Sequence, residues 1–326
     1  ASGFIAVHIL NFLIQRNYSV IVTVRSDEKA TKLREALCIP HLDYRIVKDI
    51  AQPDAFDEVL KIDGVEYVIH TASPFLLDIK DIKKDLLDPA IIGTTGILSA
   101  IKKNAPSVRK VIITSSTAAI IDVNKPLDEK SVACSENVWN SITMNQALEN
   151  PMFGYRASKT FAERAAWEFM EREKPSFTLT TVNPCLVFGP PLLYLNPHDN
   201  LNTSNKIIYD LITGKYKTEK MVPSTTIWVD VRDVALAHIK AIELDTAADK
   251  RLLVLGGNFS NKSIVETIRS NFPEFAEKLP GPDKEIPENL PIKYDNSSTT
   301  GILGSPNYTF SSSIVDTVKK LKEVLT

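Results

Sequence analysis

The sequence contains few cysteines and histidines, and none of them is spaced for a metal site. Its three cysteines, Cys38, Cys134 and Cys185, are odd in number and far apart, so a disulfide framework is not expected to hold the fold. The five histidines do not cluster either, and His70, at the end of an apolar run, is interpreted as structural. Reduced thiols are typical of cytoplasmic proteins, so we expect a cytoplasmic protein without a bound metal.

Excess charge of one sign and long apolar runs are also missing. The net charge of −2 gives no electrostatic reason to expect a nucleic acid or an anionic membrane as a partner. No apolar run approaches the roughly 18 residues that a membrane-spanning helix needs, so no membrane span is expected. The 326 residues can bury a large core, and they suit a nucleotide-binding domain that carries a smaller lobe.

The sequence does contain a regular alternation of apolar strand and helix patterns. We predict strands over residues 19–24, 44–47, 65–71, 109–114 and 178–182, and helices over residues 4–15, 27–37, 51–60, 89–103, 151–171 and 234–243. Such alternation predicts a doubly wound parallel α/β sheet covered on both faces. Residues 1–183 would form the nucleotide-binding domain, and residues 184–326 mainly a substrate lobe, with some segments returning to the first domain. Asp230 is expected to cap the last helix and Arg232 to form an ion pair.

One pair of residues indicates a proton-transfer reaction. Tyr155 and Lys159 lie four positions apart in a predicted helix, so both side chains fall on one helix face. A free tyrosine has a pKa of about 10, and an ammonium group beside it lowers that pKa toward neutrality. Ser116, at the end of a predicted strand, could hold a substrate carbonyl oxygen against the phenol. By itself the pair is weak evidence, since the same spacing occurs by chance on solvated helix faces.

Further segments add to the pattern of Tyr155, Lys159 and Ser116. They are Gly3-Phe4-Ile5-Ala6, His70-Thr71-Ala72-Ser73-Pro74-Phe75, Val111-Ile112-Ile113-Thr114-Ser115-Ser116, Asn183-Pro184, Val187-Phe188-Gly189-Pro190, Leu201-Asn202-Thr203-Ser204 and Val229-Asp230-Val231-Arg232-Asp233-Val234. In this order they resemble the extended short-chain dehydrogenase/reductases, with the yeast-type NADPH-dependent carbonyl reductases (methylglyoxal or 3-methylbutanal reductases) most similar and the plant dihydroflavonol and cinnamoyl-CoA reductases more distant. The likeness extends from the first residue to at least Gly304.

The first segment implies a phosphate-binding turn. The family fingerprint is a strand followed by Thr-Gly-x-x-Gly-x-x-Gly/Ala, and only its second half is present, with Gly3 and Ala6 as the last two small residues. A plain helix cap is the alternative reading, but the family context favours a backbone that approaches a pyrophosphate at a helix N-terminus. We expect a strand ending in Thr-Gly to precede this turn in the working protein. The implied cofactor contacts here are Ala1, Ser2, Gly3, Phe4 and Ile5.

The residues after the strand over 19–24 bear on the choice of cofactor. NAD-specific domains usually place an acid there, which binds the ribose 2′-hydroxyl. Here Arg25 and Lys29 could instead clamp a 2′-phosphate through charge-assisted hydrogen bonds. Asp27 and Glu28 offer a competing NAD reading, but after an N-cap at Ser26 the helix dipole accounts for acids in the first turn. We therefore predict NADPH/NADP⁺ as the cofactor.

The resemblance implies the remaining contacts. Asp49 and Ile50 match the family's adenine-contacting pair, although Asp49 could also simply cap the next helix. The other cofactor contacts lie near the nicotinamide ribose and carboxamide or in a later loop, and they are Thr71, Ala72, Pro184, Val187, Phe188, Gly189, Pro190 and Ser204. The candidate walls of a mostly apolar substrate pocket are Phe75, Thr117, Ile121, Leu186 and the loop over residues 192–200.

The implied reaction is the reduction of a small-molecule aldehyde or ketone, either methylglyoxal-like or hydrophobic, to an alcohol. Tyr155 would protonate the carbonyl oxygen, and Ser116 would donate a hydrogen bond to the developing alkoxide. Lys159 would lower the pKa of Tyr155 and hold the nicotinamide ribose. The protein would be a monomer or a homodimer.

Three rival readings share some of these features. Nucleotide-sugar epimerases and 3β-hydroxysteroid dehydrogenases have the same fold and catalytic set. Against the epimerases, the second half of the chain lacks an obvious cationic set for a diphosphate. A regulator that senses NADP would keep the nucleotide-binding motifs and lose the Tyr155/Lys159 pair. Consumption of NADPH with an α-keto aldehyde separates these classes.

Overall fold

The computed structural model describes residues 1–52, 54–73, 79–125, 132–193, 201–222, 226–281, 284–286 and 290–325. In the first half of the chain strands and helices alternate. The elements there are α1 (Phe4–Gln15), β1 (Ile21–Val24), α2 (Asp27–Ala36), β2 (Asp43–Ile46), β3 (Tyr67–His70), α3 (Asp88–Asn104), β4 (Lys110–Thr114), β5 (Cys134–Ser135), α4 (Met144–Ala147), α5 (Pro151–Glu173) and β6 (Thr178–Pro184).

The second half has shorter elements and more loops. Its elements are β7 (Leu186–Phe188), α6 (Thr203–Ile212), α7 (Lys215–Thr218), β8 (Ile227–Asp230), α8 (Val231–Glu243), β9 (Lys250–Val254), β10 (Gly257–Asn258), α9 (Asn261–Asn271), β11 (Tyr294–Asp295), α10 (Ser297–Leu303) and α11 (Phe310–Lys322). Among the helices that the structure describes, none is both long and apolar enough to cross a bilayer.

The main sheet has four parallel strands in the order β3-β4-β6-β9. β1 and β2 pair in parallel as a separate two-stranded sheet. The backbone nitrogen of Ala1 donates a hydrogen bond to the Thr23 carbonyl at 2.5 Å, and it lies near His70 at the end of β3. The start of α1 therefore lies close to the ends of both β1 and β3.

Helices cover both faces of the main sheet. In β4, Ile112 packs in the cluster that includes residues of α1 and α8, whereas Val111 and Ile113 pack in the cluster that includes residues of α3 and α5. Successive residues of a strand point to opposite faces, so a strand buried on both sides is apolar throughout. This arrangement confirms the predicted doubly wound α/β fold. α8 and β9, which come from beyond residue 184, also belong to it.

A smaller unit packs around a second core. The three-stranded sheet β10-β8-β7 and the helices α6, α9 and α11 contribute to one apolar cluster. Phe188 is fully buried at its centre, edge-on to Phe259 and Phe310. A further pair of short parallel strands, β5 and β11, joins the segment after β4 to the C-terminal region.

Two predicted helices differ from the structure. The helix predicted over residues 51–60 is wrong, because its described residues form turns and a single 3₁₀ turn at Glu58–Leu60. Asp54 has a φ of +59°, a left-handed conformation that interrupts a right-handed helix. The helix predicted over residues 234–243 begins earlier, at Val231, because the Asp230 carboxylate accepts a hydrogen bond from the Arg232 N–H at 2.8 Å. The predicted cap at Asp230 and ion pair of Arg232 are confirmed.

Candidate active site

Tyr155 and Lys159 both lie on the helix α5. It begins sharply, because the Asn150 side chain accepts a hydrogen bond from the Phe153 N–H at 2.9 Å and Pro151 occupies the first turn. One side of the helix is lined by small buried residues, which allow neighbouring segments to pack closely; they are Gly154, Ala157, Ser158, Ala162 and Ala166. Both functional side chains are half-buried on this helix.

Ser116 lies one residue beyond Ser115, where the hydrogen bonding of β4 to β6 ends. Its hydroxyl caps the short 3₁₀ turn Thr117–Ala119 by accepting a hydrogen bond from the Ala118 N–H at 3.1 Å. A hydrogen bond also joins the side chains of Ser116 and Tyr155. The structure therefore brings together these two residues from distant parts of the sequence.

Burial dominates the acidity of both groups on α5. It raises the pKa of Tyr155, while the hydrogen bond with Ser116 and the charge of Arg156 lower that pKa. Burial lowers the pKa of Lys159 to about 8, against the opposing effect of Glu163. Tyr155 is thus a protonated phenol at neutral pH. Since Arg156 is the cation that acts on Tyr155 in this structure, the effect expected from Lys159 stays a prediction.

The N-terminus of α1 is open to a ligand. No side chain caps it at Gly3, and no acid lies in its first turn. A Cβ placed on Gly3 would meet no atom within 4 Å. Phe4 and Ile5 begin this helix, with Ala1 and Ser2 just before it. Free N–H groups and the positive end of the helix dipole make such a terminus suited to an anion such as a pyrophosphate.

Some side chains after β1 have hydrogen-bond or ion-pair partners within the protein, and one cation there is exposed. Ser26 caps α2 by accepting a hydrogen bond from the Lys29 N–H, as predicted. The two acids have other partners, since Asp27 accepts from the Tyr44 phenol at 2.8 Å and Glu28 pairs with Lys32 at 2.6 Å. Arg25 is exposed, and it lies near both Ala1 and Asp49. A cation therefore lies close to the open end of α1.

Asp49 is engaged within its own loop. Its carboxylate accepts hydrogen bonds from the Gln52 side chain at 2.8 Å and from the Ala51 N–H at 2.9 Å. These bonds and the charge of Arg25 lower the pKa of Asp49. The side chain of Ile50 lies against Gly93, close to 3.0 Å from where a Cβ on that glycine would be. The predicted adenine contacts of Asp49 and Ile50 stay predictions.

The loop after β7 is held in a conformation that requires glycine. Gly189 has a φ of +135°, and a Cβ there would lie 2.6 Å from the Val231 Cγ1. The Asn205 amide donates to the Gly189 carbonyl at 2.8 Å, and the Ser204 hydroxyl donates to the Val187 carbonyl. A His8 ring nitrogen on α1 lies 2.9 Å from the Pro190 carbonyl oxygen. Together these contacts tie the loop to both α6 and α1.

For other predicted cofactor contacts we describe only the position in the fold and the burial of each residue. Thr71 is half-buried and Ala72 is exposed just past the end of β3, whereas Pro184 is buried at the end of β6. The Phe188 side chain belongs to the second core, so only its backbone could meet a cofactor.

The predicted pocket residues are mostly buried. Thr117 is buried in the 3₁₀ turn after Ser116, and Ile121 packs in an apolar cluster with Cys134, Ile227 and Leu253. Leu186 is half-buried against the second core. Phe75 and residues 194–200 lie outside the described residues. That Thr117, Ile121 and Leu186 line a substrate pocket stays a prediction.

Sequence reasoning missed a buried polar cluster beneath the site. Glu163, one helical turn beyond Lys159, is 2% exposed and pairs with Arg251 of β9 at 2.6 Å. Ser115 and Asn183 also bind the Glu163 carboxylate. One signal was available, since Glu163 continues the four-residue spacing of Tyr155 and Lys159 along a helix side that is otherwise apolar or small.

The fold and these residues define a class: a doubly wound α/β nucleotide-binding protein with a Ser–Tyr–Lys group beside its central strands. The chain matches the NAD dependent epimerase/dehydratase family over residues 1–256, and it belongs to that family.

Relatives cover nearly the whole chain. The ketoreductase azaE of Aspergillus niger is 42% identical over 332 residues, which cover 99% of this chain and 96% of the relative. A putative NADPH-dependent methylglyoxal reductase of Candida albicans is 42% identical over 330 residues, covering 98% and 96% of the two chains. The crystal structure of Gre2 in complex with NADPH from Candida albicans has a TM-score of 0.90 at 38% identity, covering 100% of this chain and 98% of that one. The resemblance predicted from the sequence is confirmed.

Proposed function

We propose that the protein is an NADPH-dependent reductase that converts aldehydes and ketones to alcohols, acting on methylglyoxal-like and hydrophobic carbonyl compounds. The observation that carries this proposal is the hydrogen bond between Ser116 and Tyr155, with Lys159 on the same face of α5. The similarity to a ketoreductase and to an NADPH-dependent methylglyoxal reductase supports it. The similarity to a structure in complex with NADPH supports the cofactor.

The residues present fit NADPH. The uncapped start of α1, with open space above Gly3, suits the pyrophosphate. Among the described residues Arg25 has no acidic partner within ion-pairing distance, whereas Asp27 and Glu28 are taken up by Tyr44 and Lys32. That distribution favours a 2′-phosphate over a ribose hydroxyl in this position. When bound, NADPH supplies the hydride for reduction of the carbonyl carbon.

The chain's own residues would supply position and a proton. Tyr155, kept protonated by burial, donates its phenol proton to the carbonyl oxygen as charge develops there. Ser116 lies beside Tyr155, so when a carbonyl substrate is bound its hydroxyl can turn its single O–H to the carbonyl oxygen and stabilise the alkoxide. Lys159, as an ammonium, favours the phenolate that remains and can bind a ribose hydroxyl.

The proposal is tested by incubating the purified protein with methylglyoxal and NADPH and following the loss of absorbance at the NADPH band. We expect cofactor consumption together with formation of an alcohol identified by mass spectrometry. The competing substrates are a nucleotide sugar, followed by the appearance of its epimer, and a 3β-hydroxysteroid, assayed with NADP⁺ or NAD⁺ as the hydride acceptor. Turnover of either of these, with none of methylglyoxal or of a hydrophobic aldehyde, would reject the proposed substrate class.

Cofactor preference provides a separate prediction. Arg25→Ala should raise the KM for NADPH by roughly ten- to a hundredfold, because one charge-assisted hydrogen bond to a 2′-phosphate is lost. The KM for NADH, which lacks that phosphate, should hardly change. Arg172→Ala is the matched control, since Arg172 is an exposed arginine that pairs with Glu173 at the end of α5. Equal effects of Arg25→Ala on both cofactors would contradict contact with a 2′-phosphate.

The organisation of the chain is part of the same proposal. We assign cofactor binding mainly to residues 1–183 and substrate binding mainly to residues 184–326, with α8 and β9 returning to the first unit. Three free thiols support a cytoplasmic location. For the oligomeric state we propose a monomer or a homodimer, which sedimentation of the purified protein distinguishes.

A further inference from the structure

A buried ion pair links the catalytic helix to three strands of the main sheet. Glu163 of α5 and Arg251 of β9 meet at 2.6 Å, with side chains 1% and 9% exposed. The carboxylate also accepts hydrogen bonds from Ser115 at 2.5 Å, Asn183 at 2.6 Å and Thr181 at 3.2 Å. These donors come from the ends of β4 and β6, so one carboxylate gathers the elements that surround the site.

The guanidinium of Arg251 extends the same cluster outward. It donates to the backbone carbonyls of Glu136 at 2.8 Å and Val138 at 2.7 Å, and it stacks on the Trp139 ring at 3.7 Å. The Glu136 carboxylate in turn accepts from the Thr299 hydroxyl at 2.6 Å. The far end of the cluster therefore reaches α10, while the near end lies beneath the catalytic residues.

Two connections run from Glu163 to the residues of the proposed mechanism. The Asn183 amide that donates to the Glu163 carboxylate also lies 3.3 Å from the backbone carbonyl oxygen of Ser116. Lys159 lies one turn away on the same helix, and Glu163 is the acid whose charge acts on it. The first connection positions the serine, and the second concerns the charge of the lysine.

We propose that Glu163 is a positioning residue for carbonyl reduction, which maintains the ammonium form of Lys159 and holds the end of β4 so that Ser116 meets Tyr155. The inference rests on the proposed function, because it assigns Lys159 a catalytic task. Its structural basis is independent, since the ion pair and its hydrogen bonds exist whatever the substrate is.

The titratable groups around Lys159 show why the charge of the Glu163 carboxylate affects the protonation of Lys159. Burial lowers the pKa of Lys159 to about 8, and Glu163 opposes that change. Among the described residues, His70 at the end of β3 also interacts electrostatically with Lys159, and burial lowers the pKa of His70 to about 4. His70 is neutral above pH 7, and Tyr155 is a neutral phenol there, so Glu163 supplies the charge that opposes deprotonation of Lys159.

The test compares two variants that break the same ion pair. Glu163→Gln removes the negative charge, whereas Arg251→Gln leaves the carboxylate with its hydrogen-bond donors Ser115, Thr181 and Asn183. The activity of each variant is measured against pH, and the pKa of Lys159 is measured directly by competitive acetylation with mass spectrometry. Because Glu163→Gln leaves a buried guanidinium without its partner, the double variant Glu163→Gln/Arg251→Met is made alongside it.

We expect both variants that lack the Glu163 carboxylate to lose activity at lower pH than the wild type. The fall of kcat with rising pH, and the pKa of Lys159 from acetylation, should each move down by roughly one pH unit. Arg251→Gln should lower the melting temperature but move neither value down, because the carboxylate stays in place with its three hydrogen-bond donors. A pH profile identical to the wild type in the folded double variant would overturn the inference and leave a merely structural ion pair.

Failure of the proposed function would look different. If Tyr155→Phe retained full activity in the same assays, the assignment of Tyr155 and Lys159 would be wrong. If Tyr155→Phe is inactive and the Lys159 pKa does not respond to Glu163→Gln, only the role of Glu163 is rejected.

Discussion

Tyr155→Phe is expected to fold normally, to bind NADPH with unchanged affinity and to lose most of its turnover. The substitution removes only the phenol hydroxyl, the one group positioned by Ser116 to protonate the carbonyl oxygen. General acid catalysis of this kind contributes about 10²–10⁴-fold to a rate. The kcat with methylglyoxal should fall by that amount, while the Kd of NADPH, measured by fluorescence titration, should not change.

Tyr18→Phe provides the matched control for this loss. The Tyr18 hydroxyl is exposed and lies 3.4 Å from the Glu243 carboxylate, at the end of α1 away from Ser116. This variant should retain wild-type kcat and KM. Near-normal kcat in Tyr155→Phe would show that another group donates the proton, and the mechanism would have to be abandoned.

Lys159→Met is expected to affect both catalysis and cofactor binding. Methionine preserves much of the apolar stem, so the buried volume on α5 is largely filled while the charge is lost. Without the ammonium, the phenolate formed at Tyr155 is no longer stabilised and kcat should fall by about 10²-fold or more. Loss of a charged hydrogen bond to the ribose should weaken NADPH binding by roughly ten- to a hundredfold.

The combination of the two effects distinguishes Lys159 from Tyr155. Lys102→Met is the control, because Lys102 of α3 pairs with Glu173 on the surface, where an ion pair contributes little. It should behave as the wild type in both measurements. A Lys159→Met protein that binds NADPH normally would assign the lysine to catalysis alone and remove its proposed ribose contact.

Much of the fold could be predicted from local patterns. The helix over residues 4–15 and the main strands follow from apolar periodicity, which the backbone geometry of each element imposes on its own residues. Helix caps could be predicted as well, because Ser26 and Asp230 are suited to accept hydrogen bonds from the first N–H groups of the helices that follow. The helix over residues 51–60 was mispredicted because its apolar spacing conceals the left-handed residue Asp54.

The site could be predicted as far as it depends on spacing within one element. The four-residue interval fixes Tyr155 and Lys159 on one helix face, and the same interval places Glu163 there. The residues that contact this helix face could not be predicted, because the partners of Glu163 come from three different strands. The effect of burial, which raises the pKa of Tyr155 and lowers that of Lys159, was not predictable for the same reason, since burial depends on the packing of the whole chain.

The sequence by itself determined the fold class, the family, the cofactor expectation at Arg25 and the Tyr155/Lys159 pair. Only the tertiary structure decided which distant residues meet: Arg251 with Glu163, 88 positions away, and His8 with the Pro190 carbonyl, 182 positions away. It also decided that residue 189 must be glycine, because the Val231 side chain occupies the space of a Cβ. Secondary structure arises from interactions between near neighbours, which leave a periodic trace in the sequence. Contacts between separate elements leave no such trace, because they depend on how the elements pack.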